Sequence, residues 1–254
     1  MQKDTSKVKA ILFDLDNTLI DFMKMKQHAI NSAVEAMIDA GLPKGKEEVL
    51  KIIDRLYKKY GIEYQKIFDD VLTEILGKVD FKILAAGVVA YRKVKEGYIE
   101  PYPNVTSTLV ELVKRGYNIG IISDAHAFQV WTRLVGMNLH HLFNFVITFE
   151  ETGVGKPDEL PFRLALEKLN LKPEEVVMIG DDIKKDIKGA KKFGIITILA
   201  KYGEMTELIK HGYITGIRPE SFPTKADRKS DEQKPDFEIS DIKEILDLLP
   251  KKVD

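Results

Sequence analysis

The feature that most constrains the fold is an alternation. Short runs rich in β-branched residues recur at VKAILF (8–13), YNIGII (117–122), NFVITF (144–149), EVVMIG (175–180) and GIITILA (194–200). From about residue 100 onward they are separated by helix-length segments of mixed polarity, near 104–115, 126–136, 158–169 and 184–193. Pro103 and Asp158 are plausible helix starts, and Gly116 and Gly194 plausible stops. The runs are apolar almost throughout, which predicts strands buried on both faces. Strand and helix in alternation predict an α/β fold: a Rossmann-like parallel sheet with helices on both faces and right-handed crossovers.

The stretch after the first run breaks this rhythm. Residues 24–96 contain no convincing strand and at least three amphipathic helical patterns. One is KQHAINSAVEAMIDAG (26–41), where Ala29, Ile30, Ala33, Val34, Met37 and Ile38 recur at helical spacing. The expected organisation is an α/β core made of 1–21 and 100–254, with a small all-α domain, 22–99, inserted after the first strand. Hinges are expected near Ile20–Met23 and in EGYIEPYPN (96–104). PTKADRKSDEQKP (223–235) is nearly devoid of apolar residues and reads as a polar surface loop, followed by a last helix near 240–249.

Composition removes several function classes. Thirty-nine basic against forty acidic residues give a net charge of −1, without the basic footprint of a nucleic-acid binder. With no cysteine there is no disulfide, thiolate metal site or cysteine nucleophile. ILAAGVVAY (83–91) is the longest weakly polar stretch and is too short to span a bilayer. MQKDTSKVK at the start carries no apolar leader. The expectation is a soluble, cytoplasmic protein, monomer or homodimer, with AAGVVA (85–90) in the core of the helical domain.

The polar residues sit where the strands end. Asp14 and Asp16 follow the first run, Ser123 and Asp124 the second, Lys156 comes after the third, and Asp181, Asp182 and Asp186 follow the fourth. Parallel sheets bind ligands at their carboxyl edge, where the strand order reverses. Six carboxylates, a hydroxyl and an ammonium gathered there suit phosphoryl transfer. A phosphate ester and an anionic nucleophile repel each other unless a divalent cation intervenes, and Mg²⁺ prefers oxygen ligands.

DLDNT (14–18), IISD (121–124), Lys156-Pro157 and GDDIKKD (180–186) resemble, in order, the four motifs of the haloacid dehalogenase-like hydrolase superfamily. The helical insertion resembles the cap of its phosphatase branch, of the phosphoglycolate and triose-phosphate kind. The resemblance implies that Asp14 is the nucleophile, forming an aspartyl phosphate, and that Asp16 is the general acid and then base. It implies that Ser123 and Lys156 hold the phosphoryl group. It further implies Mg²⁺ bound by Asp14, the Asp16 main-chain carbonyl and Asp181, with Asp186 orienting ligands or Lys156. Thr18 is expected to tie the turn and orient Asp14. Asp182 could ligate metal or cap the next helix, and the cap is favoured. Asp124 could face the substrate or cap a helix, and Phe22 could line the pocket.

The offset of two between Asp14 and Asp16 bears on the reaction. Halide leaves without a proton, whereas an alkoxide leaves poorly unless protonated, so Asp16 favours a phosphatase over a 2-haloacid dehalogenase. The expected substrate is a small phosphorylated metabolite, a sugar or triose phosphate such as glyceraldehyde 3-phosphate. A non-catalytic phospho-ligand sensor is the alternative from another class. A phosphonate hydrolase would use a cap lysine, for which Lys24 and Lys26 are candidates. His140 and His141 are read as surface residues rather than ligands, and His28 and His211 have no supporting pattern. Asp16 is expected in surroundings that favour its neutral form more than those of Asp14 do.

Overall fold

A computed structural model of the chain describes residues 3–203, 234–249 and 251. They divide into two compact units, one made of residues up to Asp21 and from Glu100 onward, the other of Phe22–Ile99.

The first unit is built on six strands: β1 (Ala10–Phe13), β2 (Asn118–Ile122), β3 (Phe145–Ile147), β4 (Val176–Gly180), β5 (Ile196–Ala200) and β6 (Phe237–Ile239). They form one parallel sheet in the order β3-β2-β1-β4-β5-β6. The chain fills one side of β1 first, then returns beside it and fills the other, so the order reverses between β1 and β4. A crevice at the carboxyl ends of these two strands is where ligands bind in such sheets.

Between β1 and β2 run α1 (Phe22–Asp39), α2 (Lys46–Tyr60), α3 (Ile67–Leu76), α4 (Phe81–Gly97) and then α5 (Val105–Lys114). After β2 come α6 (Ala127–Gly136), α7 (Phe149–Thr152), α8 (Glu159–Leu169), α9 (Lys188–Lys192) and α10 (Ile245–Leu248). The strand runs are apolar without alternation because both faces are covered. On one face Ala10, Leu12, Ile122, Val176 and Met178 pack with Phe162 and Ala165 of α8 and Ala190 of α9. Residues of the opposite parity, Ile11, Phe13, Ile119, Ile121, Val177 and Ile179, are equally buried.

Helices α1–α4 make up the second unit. Ile30, Ala33, Val34 and Met37 of α1 pack with Val49, Ile53 and Tyr57 of α2, Phe68, Val71 and Leu72 of α3, and Ile83 of α4. Only part of AAGVVA joins this core. Gly87 is buried and Val88 packs against the core, whereas Ala85 and Val89 are exposed. On a helix, residues two apart point to different sides, so a continuous apolar run cannot bury all its members against one neighbour.

Several boundaries differ from those expected. β3 stops at Ile147 because Thr148 turns to cap α7, its amide donating to Glu151 Oε2 at 3.0 Å. The segment expected as a helix over 184–193 opens with a π-helical turn, Ile183–Ile187, before α9. The last helix is a 3₁₀ turn, Ile242–Glu244, followed by α10. β6 was not expected. Three residues beside a polar stretch carry too little pattern to mark a strand, and pairing with β5 makes it one. The polar loop lies outside the described residues over 223–233, as does His211.

Candidate active site

The register sets the site. Phe13 lies opposite Ile121 of β2 and Ile179 of β4, so Asp14 emerges between the ends of both neighbours. Its amide donates to the Ile179 carbonyl at 2.9 Å. Beyond it the chain makes a tight turn, with Leu19 N and Ile20 N both donating to Leu15 O and Asn17 at φ 62°. The turn brings Thr18 back, and its hydroxyl donates to Asp14 Oδ2 at 3.1 Å and reaches Asp181 Oδ1 at 3.5 Å.

Lys156 closes the other side. Its ammonium donates to Asp14 Oδ1 at 2.5 Å and to the Ile122 carbonyl at 2.9 Å, and pairs with Asp186 Oδ1 at 2.7 Å. It thus reaches the ends of β1 and β2 and the turn after β4. Gly180 makes room for the last of these contacts: a Cβ there would lie 2.2 Å from Asp186 Oδ2. Gly203, after β5, has a similar duty, since its Cβ would meet the Asn17 carbonyl at 1.7 Å. Beside it the Tyr202 hydroxyl donates to Thr18 O at 2.9 Å and holds the same turn.

Asp14, Asp181 and Asp186 are all buried, and a ligand oxygen from each lies within 4.8 Å of the others. Burial, then Asp14, Asp186 and Asp182, push the Asp181 carboxyl well above the usual carboxylate range. Burial raises Asp186 to about 7, against the opposing pull of Lys156. Burial also opposes the charge on Lys156, yet Asp14, Asp186 and Asp124 outweigh it and hold the ammonium well above an ordinary lysine value. Three clustered carboxylates face one ammonium, and a divalent cation among the oxygens would relieve the excess negative charge. The donor set is all oxygen and hard, which fits Mg²⁺ or Mn²⁺ better than a soft metal.

The remaining expected residues are placed as follows. Ser123 is buried, and its Oγ accepts from Ala125 N at 3.2 Å, so its hydroxyl proton can be donated to a ligand. Asp124 caps no helix: it accepts from Lys156 N at 2.8 Å and pairs with Lys185 at 3.3 Å, tying the ends of β2 and β4 to the lysine loop. Asp182 accepts from Lys184 N and Lys185 N at 2.8 and 3.1 Å and caps the π-helical turn. Its own amide donates to Asp186 Oδ2 at 3.1 Å. Phe22 opens α1 and belongs to the helical unit. His140 and His141 are exposed and pack edge to face at 5.1 Å.

Asp16 is held by a residue to which the sequence did not point. Its Oδ2 accepts from Arg133 Nη1 at 2.7 Å. Asp14 has its own cation, Lys156, at 2.5 Å, so each of the two carboxylates is paired. Sequence reasoning missed Arg133 although a signal existed. It falls on the same face of α6 as Val130 and Leu134, where a basic residue is out of place unless paired. Tyr202 was missed as well, and no spacing announces it.

The family model for haloacid dehalogenase-like hydrolases matches residues 11–200, which runs from within β1 to the end of β5 and takes in Asp14, Asp16, Ser123, Lys156, Asp181 and Asp186, with Tyr202 and Gly203 just beyond it. The chain belongs to the haloacid dehalogenase-like hydrolases. Within that family it is 42% identical to the glyceraldehyde 3-phosphate phosphatase of Methanocaldococcus jannaschii, over 75% of this chain and 84% of the relative. It is 35% identical to the glyceraldehyde 3-phosphate phosphatase of Methanopyrus kandleri, over 95% of this chain and 97% of the relative. The fold is also that of the magnesium-bound HAD-hydrolase YfnB from Bacillus subtilis. The TM-score is 0.65 and the identity 20%, covering 95% of this chain and 98% of that one. Among the described residues of this family member no helix is long and apolar enough to cross a membrane.

Proposed function

We propose that this chain is a Mg²⁺-dependent phosphatase of small phosphorylated metabolites, with glyceraldehyde 3-phosphate the foremost substrate. The observation that carries the reading is the pair of carboxylates two residues apart, Asp14 within the acidic cluster and Asp16 beside it but held by a different cation. The relatives named above act on a triose phosphate by their names, which supports the choice of substrate.

In this reading Asp14 attacks phosphorus, and the ester P–O bond breaks as Asp16 protonates the leaving oxygen. Asp16 then takes a proton from water as the water oxygen attacks the aspartyl phosphate, releasing phosphate and restoring Asp14. The Ser123 hydroxyl and the Lys156 ammonium hold the phosphoryl oxygens, with charge placed before the transition state forms. Asp14, Asp181 and the Asp16 main-chain carbonyl, with Asp186 behind them, would hold Mg²⁺, which would supply positive charge to offset the repulsion of nucleophile and phosphate. The helical unit, Phe22–Ile99, is the region to which we assign substrate selection, with Phe22 as a lining residue.

A panel of phosphate esters tests the reading. Phosphate release that requires Mg²⁺, stops in EDTA and is abolished in Asp14→Asn is the expected result, with the triose phosphate preferred. Halide release from 2-haloacids without metal would establish a dehalogenase instead. Binding of phosphate esters with no turnover of any would establish a sensor.

A further inference from the structure

We propose that Arg133 is a positioning residue for the hydrolysis, acting through Asp16. The inference rests on the reading of Asp16 as general acid and base. Arg133 projects from α6 with a side chain that is 1% exposed, the largest of the fully buried side chains among the described residues. It donates to Asp16 Oδ2 at 2.7 Å, and the Asp16 side chain is 23% exposed. A fully buried cation therefore grips a carboxylate whose side chain is partly exposed while its Oδ1 atom is buried.

Stability alone does not account for this arrangement. Withdrawing a guanidinium from water is costly, and an apolar side chain of similar volume usually serves a core as well or better. What the pair does supply is orientation. The turn from Leu15 to Ile20 fixes the Asp16 backbone, through Leu19 N and Ile20 N on Leu15 O, and the bond from Arg133 acts on its carboxyl group. A guanidinium has donors only, so the oxygen it holds must accept whether Asp16 is ionised or protonated. Oδ2 is thereby held by Arg133, which leaves the travelling proton to Oδ1, an atom buried from solvent in this structure.

The proton ledger follows. As the ester P–O bond breaks, the Oδ1 proton passes to the leaving oxygen, and Asp16 is left ionised beside Arg133. As water attacks the aspartyl phosphate, a water proton passes to Oδ1 and Asp14 is released. Without Arg133 either oxygen can take the proton and the carboxyl can turn away from the leaving group. An error of about 1 Å in such a group costs on the order of a hundredfold in rate.

Two esters separate positioning from scaffolding. Glyceraldehyde 3-phosphate expels an alkoxide that needs the proton, and p-nitrophenyl phosphate expels a stable phenolate that does not. In Arg133→Gln, kcat on the triose phosphate is expected to fall roughly 10- to 100-fold with KM within about threefold, while the first-turnover release of p-nitrophenolate, which needs no proton, stays within about threefold and only the later turnovers, which need Asp16 as base, slow. Arg133→Lys keeps the charge without the planar fork and should show the same selectivity in smaller measure. On an Asp16→Asn background Arg133→Gln should cost nothing further, because the two act as one unit. Equal losses in the first turnover of both esters, a rise in KM at constant kcat, or additive losses in the double variant would overturn the proposal. Wild-type protein inert toward both esters would refute the phosphatase reading and this inference with it; active wild type without the split refutes the inference alone.

Discussion

The two units bury charge very differently. At the carboxyl edge of the sheet, Asp14, Ser123, Arg133, Lys156, Asp181, Asp182 and Asp186 are all buried. In the helical unit, Lys26 is the only polar or charged residue in that class among the described residues. Even the buried lysines contrast. Lys156 is bound by two carboxylates and a carbonyl, whereas Lys26 lies over the rings of Tyr57 and Tyr91, at 5.0 and 5.4 Å from their centroids. Charge withdrawn from water is expensive, so its concentration at one edge sets that edge apart from the helical unit. The helical unit is held by ordinary apolar packing.

The sharpest way to break the comparison is to neutralise the edge. Asp14→Asn should lower kcat by at least about 10⁴-fold, since a nucleophile acts as part of a unit. It should not unfold the protein, because it removes one of three mutually repelling carboxylates. Activity assays paired with thermal melts check both halves. Lys156→Met comes next, with activity down about 10³-fold and stability down by about 3–5 kcal/mol, since the carboxylates lose the partner that makes their burial tolerable. Urea denaturation measures the second figure.

A third measurement varies pH and metal together. Asp186 is raised in the folded protein to about 7. A carboxyl that binds its proton more tightly when folded stabilises most below its unfolded pKa, and that contribution is lost as pH rises through the folded value. Asp181, raised well above its ordinary value, acts in the same direction. Metal-free protein should therefore lose Tm between about pH 5 and pH 8. Added Mg²⁺ should raise Tm, and more so at the alkaline end, because ligands must be deprotonated to bind it. A Tm that rises with pH in EDTA would contradict this account of the cluster.

The smallest effect is expected in the other unit. Lys26→Met keeps the length and apolar stem and should change stability by no more than about 1 kcal/mol, with kcat on p-nitrophenyl phosphate unchanged. A loss of that activity beyond about tenfold would show that the buried charge of the helical unit is chemical too, and the contrast would fail.

What could be read beforehand follows from the range of the interactions involved. Asp14, Asp16, Ser123 and Asp181 were legible as candidates because each sits just past an apolar run whose burial the sequence announces, whereas Lys156, nine residues beyond β3, was legible only from its place in the series of motifs. Register then brings Asp14 and Asp181 together without any need to know side-chain packing. The cap at Asp182 was legible for the same local reason, as it bonds residues two and three further on. Arg133 was not, because its partner lies 117 positions away and only the completed fold joins them. β6 was hidden for a related reason: a short edge strand gains its identity from the neighbour it pairs with.

Gly180 shows how a position in the candidate site can matter through an absence. The Asp186 carboxylate occupies the space that any side chain at 180 would claim, with a Cβ falling 2.3 Å from its Cγ. A survey of acidic residues would score a chain with alanine there as fully equipped, although its aspartate would be displaced and its lysine left half-tethered. For anyone redesigning this scaffold, or sorting working copies from silent ones, the hydrogen atom at 180 is as informative as the carboxylates around it.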